Sequence, residues 1–490
     1  MNLLLIYTDE QRADAISQLG HPQISTPNLD ALAKESQVFE RCYATQPVCT
    51  PSRASLHTGL YPHATGATDN NLPLDSDLRC LPEWLSCGKH ATGHIGKWHL
   101  GDEIFAQHGF DEWISTEDLY AKHYSDGRDR HETSDYLKFL VEQGYPPNAN
   151  RSTVACMPEG LTKAGFMGDK ACDFIERHQS HPFALAVSFL EPHMPFFGPR
   201  NTQYKPEACP LPGNYEAIPD ERSHLKKRLW HAALREQGYG NVINHLGEPV
   251  PAHQLRDTSD WRRLQANYYG LISMVDHQVG RILEKLSACD LDQDTLVVFT
   301  SDHGDMMGSH QLLTKGLPYE ESVRVPLFIR VPGKAAGTVP HAVSLVDLLP
   351  TMLDLMGESV PDGLHGASLK PYIDGQVPKN IADVLIQWNG NASPISVENA
   401  IKAFPEPIEQ EQVEQAFSDP VRTIISQDGW KLSMSPHGLG NELYNLNEDP
   451  GEWVNLYHTT AGQSMVPSLY DRLAKRMKAV NDSVALPCLN

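Results

Sequence analysis

Four short apolar runs, each ending in polar or charged residues, constrain the fold of this chain most strongly. The runs are LLLIYT at residues 3–8, FALAVSFLEPH at 183–193, TLVVFTSDHGD at 295–305 and VPLFIRVPG at 325–333. Continuous apolar runs of this length are typical of strands that are buried on both faces, as in a parallel sheet. Helical patterns such as NLDALAKES lie between them. The sequence therefore predicts an α/β fold with a large, mostly parallel sheet flanked by helices.

The pattern changes near the C-terminus. VRTIISQDGWKLSMS predicts two strands around an Asp-Gly turn, ELYNLNEDPGEWVNL adds a strand, and PSLYDRLAKRMKAV has the spacing of an amphipathic helix. We expect an α/β domain over residues 1–400 and a smaller α+β subdomain, with an antiparallel sheet and a helix, over 401–490. Residues 113–260 have weaker periodicity and many polar residues, so we interpret them as an insertion at the mouth of a site.

Bulk properties exclude several classes of partner. The 490 residues carry a formal net charge of −22, and this argues against nucleic-acid binding, which needs a basic surface. The opening LLLIY is too short to span a bilayer and lacks the basic region of a signal peptide. We therefore expect a cytoplasmic protein without a membrane partner, or a periplasmic or secreted one if a signal was removed. Nine scattered cysteines do not suggest a disulfide framework. The sequence does not define an oligomeric state.

Three of the apolar runs deliver chemically useful side chains at their ends: Asp9, His193 and Asp302. Ligands in open α/β sheets gather at the carboxyl ends of strands, so these side chains should converge. Two carboxylates brought together repel each other unless a cation lies between them. Oxygen ligands favour calcium or magnesium, and the imidazole of His303 would also suit manganese. The alternative is that these aspartates merely cap helices.

Two lysine-containing motifs suggest an anion site. In GKWH, Lys97 and His99 are two residues apart, so an extended segment directs both to one side and Trp98 to the other. Together they would form a compact receptor for an anion. The alternative is an exposed edge strand with ordinary polar side chains. Lys315 in TKG has the same ambiguity, because most lysines are simply solvated.

The stretch CTPSR at residues 49–53 brings these motifs into one pattern, because it is similar to the C-x-P-S-R signature of the sulfatase family, within the alkaline phosphatase superfamily. The strand-end aspartate, GKWHL, PHMPF, SDHGD and TKG occur in that family's order. The resemblance covers residues 1 to about 370, and ELYNLNEDPGEWVNL also resembles the family's C-terminal subdomain. Six motifs in the right order are far more specific than any one of them.

The resemblance implies that a maturation enzyme converts Cys49 to formylglycine. One hydroxyl of the hydrated aldehyde would attack sulfur, and the other would then expel sulfate. It also implies a divalent metal, calcium foremost with manganese or magnesium as alternatives, at residues that match the family's ligands: Asp9, Glu10, Cys49, Asp302 and His303. Glu10 stands where the family usually has aspartate, so it would ligate differently or only support the ligands.

The remaining roles also follow from the resemblance. Arg53 would support the nucleophile, and His99 would accept a proton from its second hydroxyl. His193 would contact the substrate and act as general acid. Lys97 and Lys315 would bind sulfate oxygens. We interpret the other histidines near the motifs as structural or exposed, namely His57, His63, His90 and His94.

The expected activity is that of a sulfuric ester hydrolase that releases sulfate from a sulfated small molecule or oligosaccharide. A carbohydrate is favoured because the polar insertion suits an extended sugar. The insertion holds a basic and aromatic group that could bind a second anion or a sugar face, namely His123, Tyr124, Arg128, Arg130 and His131. A phosphonate or phosphate ester hydrolase of the same superfamily is the nearest alternative. A binding protein for sulfated ligands that has lost maturation is another. Glu320 and Glu321 are read as a solvated helix start or as partners of Arg324.

Overall fold

A computed structural model of the chain describes residues 1–85, 88–149, 157–238, 242–243, 249–250, 255, 257–389 and 395–489. Its strands are β1 (Asn2–Asp9), β2 (Gln37–Tyr43), β3 (Ala91–Gly96), β4 (Glu112–Ser115), β5 (Phe183–Pro192), β6 (Val242–Ile243), β7 (Pro249–Val250), β8 (Thr295–Ser301), β9 (Arg324–Val325), β10 (Leu327–Arg330), β11 (Gly337–Ser344), β12 (Val384–Gln387), β13 (Arg422–Ile425), β14 (Trp430–Met434) and β15 (Glu442–Asn445). Its α-helices are α1 (Pro27–Lys34), α2 (Cys49–Thr58), α3 (Pro62–Thr65), α4 (Leu81–Trp84), α5 (Asp135–Glu142), α6 (Lys163–Arg177), α7 (Leu225–Gln237), α8 (Thr258–Ala288), α9 (Glu320–Val323), α10 (Leu348–Met356), α11 (Lys370–Ile373), α12 (Val397–Ala403), α13 (Gln410–Ser418) and α14 (Thr460–Ala479).

The main sheet has the strand order β11-β2-β10-β8-β1-β5-β3-β4, with β9 paired to β2. Its neighbours run parallel except where β10 pairs with β2 and β8 and where β9 pairs with β2. All four apolar runs found in the sequence lie in this sheet, as β1, β5, β8 and β10. The predicted α/β fold with a large, mostly parallel sheet is confirmed.

Strand β1 lies at the centre of the sheet and is buried along its whole length. Leu4 and Ile6 belong to a core with helices α1, α6 and α8. Leu3, Leu5 and Tyr7 belong to a second core with helices α2 and α10. Because successive side chains of a strand point to opposite faces, β1 anchors both helical layers at once.

The register of β1 brings three predicted strand ends to one edge of the sheet. Thr8 pairs with Ser301 in β8, so Asp302 follows beside Asp9. Asp9 pairs with Pro192 in β5, so His193 follows on the other side. The predicted convergence of Asp9, His193 and Asp302 is therefore a consequence of strand pairing.

The second sheet is antiparallel, with the order β12-β13-β14-β15. Strands β13 and β14 join through Asp428 and Gly429, where the φ of 89° requires the conformational freedom of glycine. One face of this sheet packs on helix α14 through an apolar cluster that includes Leu432 and Leu469. The predicted small sheet and helix are both confirmed.

The domain limits stay a prediction. Strand β12 belongs to the small sheet although it precedes residue 401. The segment 113–260, interpreted as an insertion, also contributes β5 and helix α6 to the main sheet and its packing.

No helix in the described ranges combines the length and the apolar character needed to cross a bilayer. The compartment stays a prediction. The cysteines of the described part are free thiols, as their scattered spacing indicated.

Candidate active site

Cys49 is the first residue of helix α2 and has 1% of its surface exposed. Val48 precedes it in an extended conformation, and Pro51 lies in the first helical turn, where its missing N–H costs nothing. The Cys49 Sγ atom lies 3.3 Å from His303 Nε2 and 3.7 Å from Asp9 Oδ1. The helix N-terminus favours negative charge at this position.

Four ligand atoms meet at the edge of the sheet and form what we call the active-site cluster: Asp9, Cys49, Asp302 and His303. These atoms lie within 4.8 Å of one another, and all four residues are buried. His303 Nδ1 donates to the carbonyl of Gly304 at 2.9 Å, so its Nε2 presents a lone pair to the cluster. Carboxylate oxygens and an imidazole lone pair that face each other need a cation between them. The donor set fits a divalent metal ion.

Arg53 is fully buried and holds the two aspartates in place. Its Nε donates to Asp302 Oδ2 at 2.8 Å, and its Nη2 donates to Asp9 Oδ2 at 3.0 Å. Its Nη1 donates to the carbonyl of Lys97 and to Ser188 Oγ. Because the guanidinium occupies the outer oxygens, the two inner Oδ1 atoms remain directed at the cluster. Arg53 therefore contacts both carboxylates, and its predicted role in supporting the nucleophile stays a prediction.

The protonation states follow from this arrangement. Burial alone would raise the pKa of Asp9, but Lys97, His193 and Arg53 hold it well below its usual range. Burial and the charge of Asp9 raise the pKa of Asp302. Burial and Asp9 also raise the pKa of the Cys49 thiol. An unmodified thiol at position 49 is therefore protonated at neutral pH and is a poor nucleophile.

Glu10, His193 and Lys315 form a second group beside the first. The ammonium of Lys315 contacts Glu10 Oε1 and lies 3.0 Å from His193 Nε2. His193 Nε2 lies 3.4 Å from Glu10 Oε1. Glu10, whose φ is 69°, groups with Asp9 and His193, but it lies outside the active-site cluster. Burial lowers the pKa of Lys315 to about 8.

The GKWH motif begins at the last residue of β3, and its three side chains contact different parts of the site. The Nζ atom of Lys97 donates to Asp9 Oδ2 at 2.5 Å. Trp98 is buried among rings that include His94 and Trp113. His99 stacks on Tyr120 with the ring centroids 4.3 Å apart, and its Nε2 lies 3.1 Å from Asn71 Oδ1. Lys97 is fully buried at the cluster, so the alternative of an exposed edge strand is wrong for it.

The structure adds polar residues that sequence reasoning missed. Asn70 Oδ1 accepts from the N–H of Thr50, and Asn71 contacts His99. The carboxylate of Glu103 accepts from the backbone N–H groups of Trp98 and His99 at 2.8 and 2.6 Å. Burial raises the pKa of Glu103 to about 7. The only signal for Asn70 and Asn71 was the polar run TDNN, which reads as an ordinary turn.

Several histidines near the motifs occupy structural positions. The Nε2 of His57 lies 3.1 Å from the Tyr7 hydroxyl, and His94 stacks on Trp113. His63 Nε2 lies 2.8 Å from the carbonyl of Val480, and His90 Nε2 lies 3.2 Å from the carbonyl of Met1. These contacts agree with their interpretation as structural residues.

The predicted basic and aromatic group is partly used internally. Arg128 pairs with Asp102, Arg130 donates to the carbonyl of Tyr124, and Tyr124 is buried. His123 lies in the same segment, and His131 is exposed. Glu320 is buried and pairs with Lys431, so its interpretation as a solvated helix start is wrong.

The comparisons with known proteins identify the family of this chain. The family model described as Sulfatase matches residues 1–358. The chain is 32% identical to an arylsulfatase of Clostridium perfringens over 401 residues, which cover 76% of this chain and 78% of the relative. It is 30% identical to an N-acetylglucosamine-6-O-sulfatase of Bacteroides thetaiotaomicron over 427 residues, which cover 76% of this chain and 71% of the relative. A crystal structure of the phosphonate monoester hydrolase of Agrobacterium radiobacter is 25% identical and superposes with a TM-score of 0.75, covering 97% of this chain and 96% of that one.

The fold and the site thus define an α/β hydrolytic enzyme of the alkaline phosphatase superfamily. Within it, this chain belongs to the sulfatase family, and the resemblance seen in its motifs is confirmed.

Proposed function

We propose that this sulfatase hydrolyses the sulfate ester of a carbohydrate, with a formylglycine made from Cys49 and a divalent ion, calcium in the first place. The observation that carries the proposal is the position of Cys49, which meets Asp9 and His303 at the start of helix α2. The choice of a carbohydrate is supported by the relative named as an N-acetylglucosamine-6-O-sulfatase. A sulfated oligosaccharide and a formylglycine-generating enzyme are the partners that this function requires.

Asp9, Asp302, His303 and the side chain at position 49 would hold the ion. The bound ion supplies Lewis acidity, which lowers the pKa of the nucleophile and screens charge as an anionic ester approaches. Near the cluster the cations Arg53, Lys97 and Lys315 balance the carboxylates of Asp9, Glu10 and Asp302. A divalent ion therefore makes the site positive within a protein of net charge −22, and an anionic substrate is attracted to it.

Hydrated formylglycine would supply two hydroxyl groups. One would attack sulfur and displace the alcohol, and deprotonation of the other would then re-form the aldehyde as the bond from carbon to the sulfate oxygen breaks and sulfate leaves. Burial and Asp9 keep an unmodified thiol protonated and so a poor nucleophile, which is why the folded site would need the modified residue. Arg53 orients the two aspartates through one hydrogen bond to each, and two more, to the carbonyl of Lys97 and to Ser188 Oγ, hold its guanidinium in place. It acts on the nucleophile through Asp9 and Asp302.

His193 is the proposed general acid. Its Nδ1 lies 2.8 Å from the carbonyl of Met194 and donates to it, so Nε2 faces Glu10 and Lys315. The Glu10 carboxylate favours a protonated imidazole, whereas the Lys315 ammonium opposes it, so Lys315 would have to turn to a sulfate oxygen before His193 gives a proton to the leaving oxygen. Its contacts with both side chains support a role for Glu10 in tuning His193 and Lys315.

Lys97, Lys315 and His99 complete the proposed machinery. The ammonium of Lys97 contacts Asp9, that of Lys315 contacts Glu10, and both would bind sulfate oxygens. His99 Nε2 donates to Asn71 Oδ1, so Nδ1 is the basic nitrogen that would accept a proton from the nucleophile.

Two measurements on the purified enzyme test this function. Mass analysis of the peptide that contains residue 49 should show an aldehyde in place of the thiol. A panel of sulfated oligosaccharides should then release inorganic sulfate, and Cys49→Ala should reduce release by about 10⁴-fold or more. An aldehyde at position 49 without sulfate release from any carbohydrate would contradict the proposed substrate class. An unmodified thiol together with tight binding of sulfated sugars would favour the binding protein instead.

A phosphonate ester hydrolase is the second candidate, favoured by the structural likeness to the Agrobacterium radiobacter enzyme. A phosphonate monoester is tetrahedral and anionic like a sulfate ester, so the same cations can bind it. Matched aryl sulfate and aryl phosphonate esters separate the two activities on the mature enzyme. A higher kcat/KM for the phosphonate ester than for the sulfate ester would show that the enzyme is a phosphonate ester hydrolase.

A further inference from the structure

Three side chains that can bind a metal converge away from the active site, around the short helix α4. Cys80 caps the start of this helix, Glu83 lies within it, and His108 faces them from the loop before β4. One ligand atom from each residue lies within 4.8 Å of the others. Cys80 is fully buried, and the side chains of His108 and Glu83 are 5% and 28% exposed.

The imidazole of His108 is the main evidence for a bound ion. Its Nδ1 atom is buried and has no hydrogen-bond partner among the described residues. It lies 3.6 Å from Glu83 Oε2, too far for a hydrogen bond but close to the spacing of two ligands on one ion. A buried polar atom without a partner costs free energy, so the fold calls for a group that Nδ1 can bind.

The surrounding backbone holds Glu83 in front of this ring. The N–H of Cys80 donates to Glu83 Oε2 at 2.8 Å. Gly109 follows His108, and a Cβ atom there would lie 2.7 Å from Glu83 Cγ. Only glycine allows the loop to approach the helix this closely, so the proximity of His108 and Glu83 is built into the packing.

We propose that Cys80, Glu83 and His108 bind a zinc ion. Sulfur, imidazole and carboxylate ligands together suit zinc, whereas the oxygen-rich active-site cluster suits a harder ion. Tetrahedral binding needs ligand atoms roughly 3.5 Å apart, and the partly exposed Glu83 can move to complete it. Solvent takes the fourth position on the side of Glu83. Binding releases the Cys80 thiol proton to solvent, so zinc affinity rises with pH.

This site lies next to the segment that holds part of the active site. The segment runs from His99 to His108, and the ring of His108 lies 5.8 Å from that of Trp98. Zinc would tie the far end of this segment to helix α4, while Glu103 ties its near end to the backbone of Trp98 and His99. The inference itself rests on the three ligands and is independent of the proposed function.

Zinc content tests the proposal directly. Calcium-loaded enzyme is equilibrated with zinc, and bound zinc is measured by elemental analysis in the wild type, Cys80→Ala and His108→Gln. We expect each variant to bind one zinc ion fewer per chain than the wild type. The zinc affinity of this site should fall by more than about a hundredfold, which exceeds the usual effect of losing a residue that only supports a ligand. The control Cys42→Ala removes another buried free cysteine of the same apolar core and should keep full zinc binding.

Cobalt adds a readout that depends on the sulfur ligand. Cobalt-substituted wild type should show thiolate-to-metal charge-transfer absorption, and Cys80→Ala should lose it. Glu83→Gln changes a partly exposed residue and is expected to fold, and circular dichroism without zinc checks every variant. The proposed site would be overturned if folded Glu83→Gln and Cys80→Ala bound as much zinc per chain as the wild type. It would also be overturned if the wild type bound no zinc other than at the active site.

Discussion

Two groups of buried charges in this protein differ in what their acceptor atoms face. One is the active-site cluster, in which Asp9 and Asp302 direct oxygens at His303 and position 49. The other, which we call the junction cluster, joins the catalytic sheet to the small sheet: Lys227, Glu320, Lys431, Glu442 and Glu452. In the junction cluster Lys431 lies 3.0 Å from oxygens of both Glu320 and Glu452, and Lys227 pairs with Glu442 at 2.5 Å.

The remaining carboxylate oxygens of the junction cluster also have donors. Glu452 accepts from the N–H of Glu320 at 2.6 Å, and Glu442 accepts from the N–H of His224 at 3.0 Å. Both clusters are equally buried, so burial alone does not mark a functional site. In the active-site cluster, acceptor atoms of Asp9, Asp302 and His303 face one another, and such an arrangement favours a bound cation. In the junction cluster the carboxylates face lysines instead.

Breaking the junction cluster should give the largest effect on stability. Lys431→Met leaves two buried carboxylates without their cation and should lower the free energy of unfolding by about 3–5 kcal/mol. Denaturant unfolding measures this change, and the exposed lysine variant Lys475→Met is the control. Adding Glu452→Gln to Lys431→Met should restore part of the loss. A stable Lys431→Met protein would show that the cluster contributes little.

Breaking the active-site cluster should instead affect turnover. Lys97→Ala removes a cation from Asp9 and from the proposed sulfate site, and kcat should fall by about a hundredfold to a thousandfold. The enzyme is assayed after its formylglycine content has been measured, so that incomplete maturation is not mistaken for lost catalysis. Lys89→Ala, at an exposed lysine near the same strand, should keep full activity. Near-normal turnover in Lys97→Ala would remove Lys97 from the proposed machinery.

An added divalent ion should stabilise the active-site cluster and leave the junction cluster unaffected. Calcium at about 100 times its Kd should raise the free energy of unfolding by about 2.7 kcal/mol, because it binds the folded state. Asp302→Asn should lose most of this gain, while Asp294→Asn, at an exposed aspartate, should keep it. Lys431→Met should also keep the gain. Equal calcium stabilisation in Asp302→Asn and the wild type would place the ion elsewhere.

A histidine contact outside both clusters should give the smallest effect. His365 stacks on His63 with the centroids 5.5 Å apart, and its Nδ1 accepts from the N–H of Tyr61. Burial, His63 and Arg476 lower the pKa of His365 to about 4. An unfolded histidine has a pKa of about 6.5. The contribution of neutral His365 to the free energy of unfolding is therefore complete above pH ~6.5 and is lost as the pH falls toward about 4.

Because His365 is partly exposed, we expect this loss to be about 1–2 kcal/mol. The free energy of unfolding is measured between pH ~6.5 and about 4, and its slope against pH reports this loss. His365→Gln should flatten it, whereas the exposed variant His458→Gln should not. An unchanged slope in His365→Gln would assign the acid sensitivity to other groups.

The sequence predicted the main sheet and the strand-end residues well because both depend on local patterns. Apolar runs identify buried strands, and parallel pairing then brings Asp9, His193 and Asp302 to one edge. The motifs located Cys49, and its burial beside Asp9 follows from the same geometry.

The sequence could not predict contacts between distant polar residues. Glu320 and Lys431 lie far apart in the chain and have no periodic signal, so their pairing depends on how the two sheets meet. Asn71 and Glu103 belong to turns whose side chains are positioned by tertiary packing. For the same reason the motif showed Arg53 near the nucleophile, but only the structure shows that its donors hold the two aspartates.

The central place of β1 affects how the protein is made. Asn2 pairs with Thr295, so the middle of the sheet cannot close until the ribosome has released β8. About 250 residues separate Cys49 from that strand, which corresponds to roughly 10–50 s of synthesis. Once β8 is in place, Cys49 is almost inaccessible. If the proposed conversion of Cys49 takes place, the enzyme would have to reach this residue before β8 pairs with β1, and slower translation should raise the fraction of active molecules.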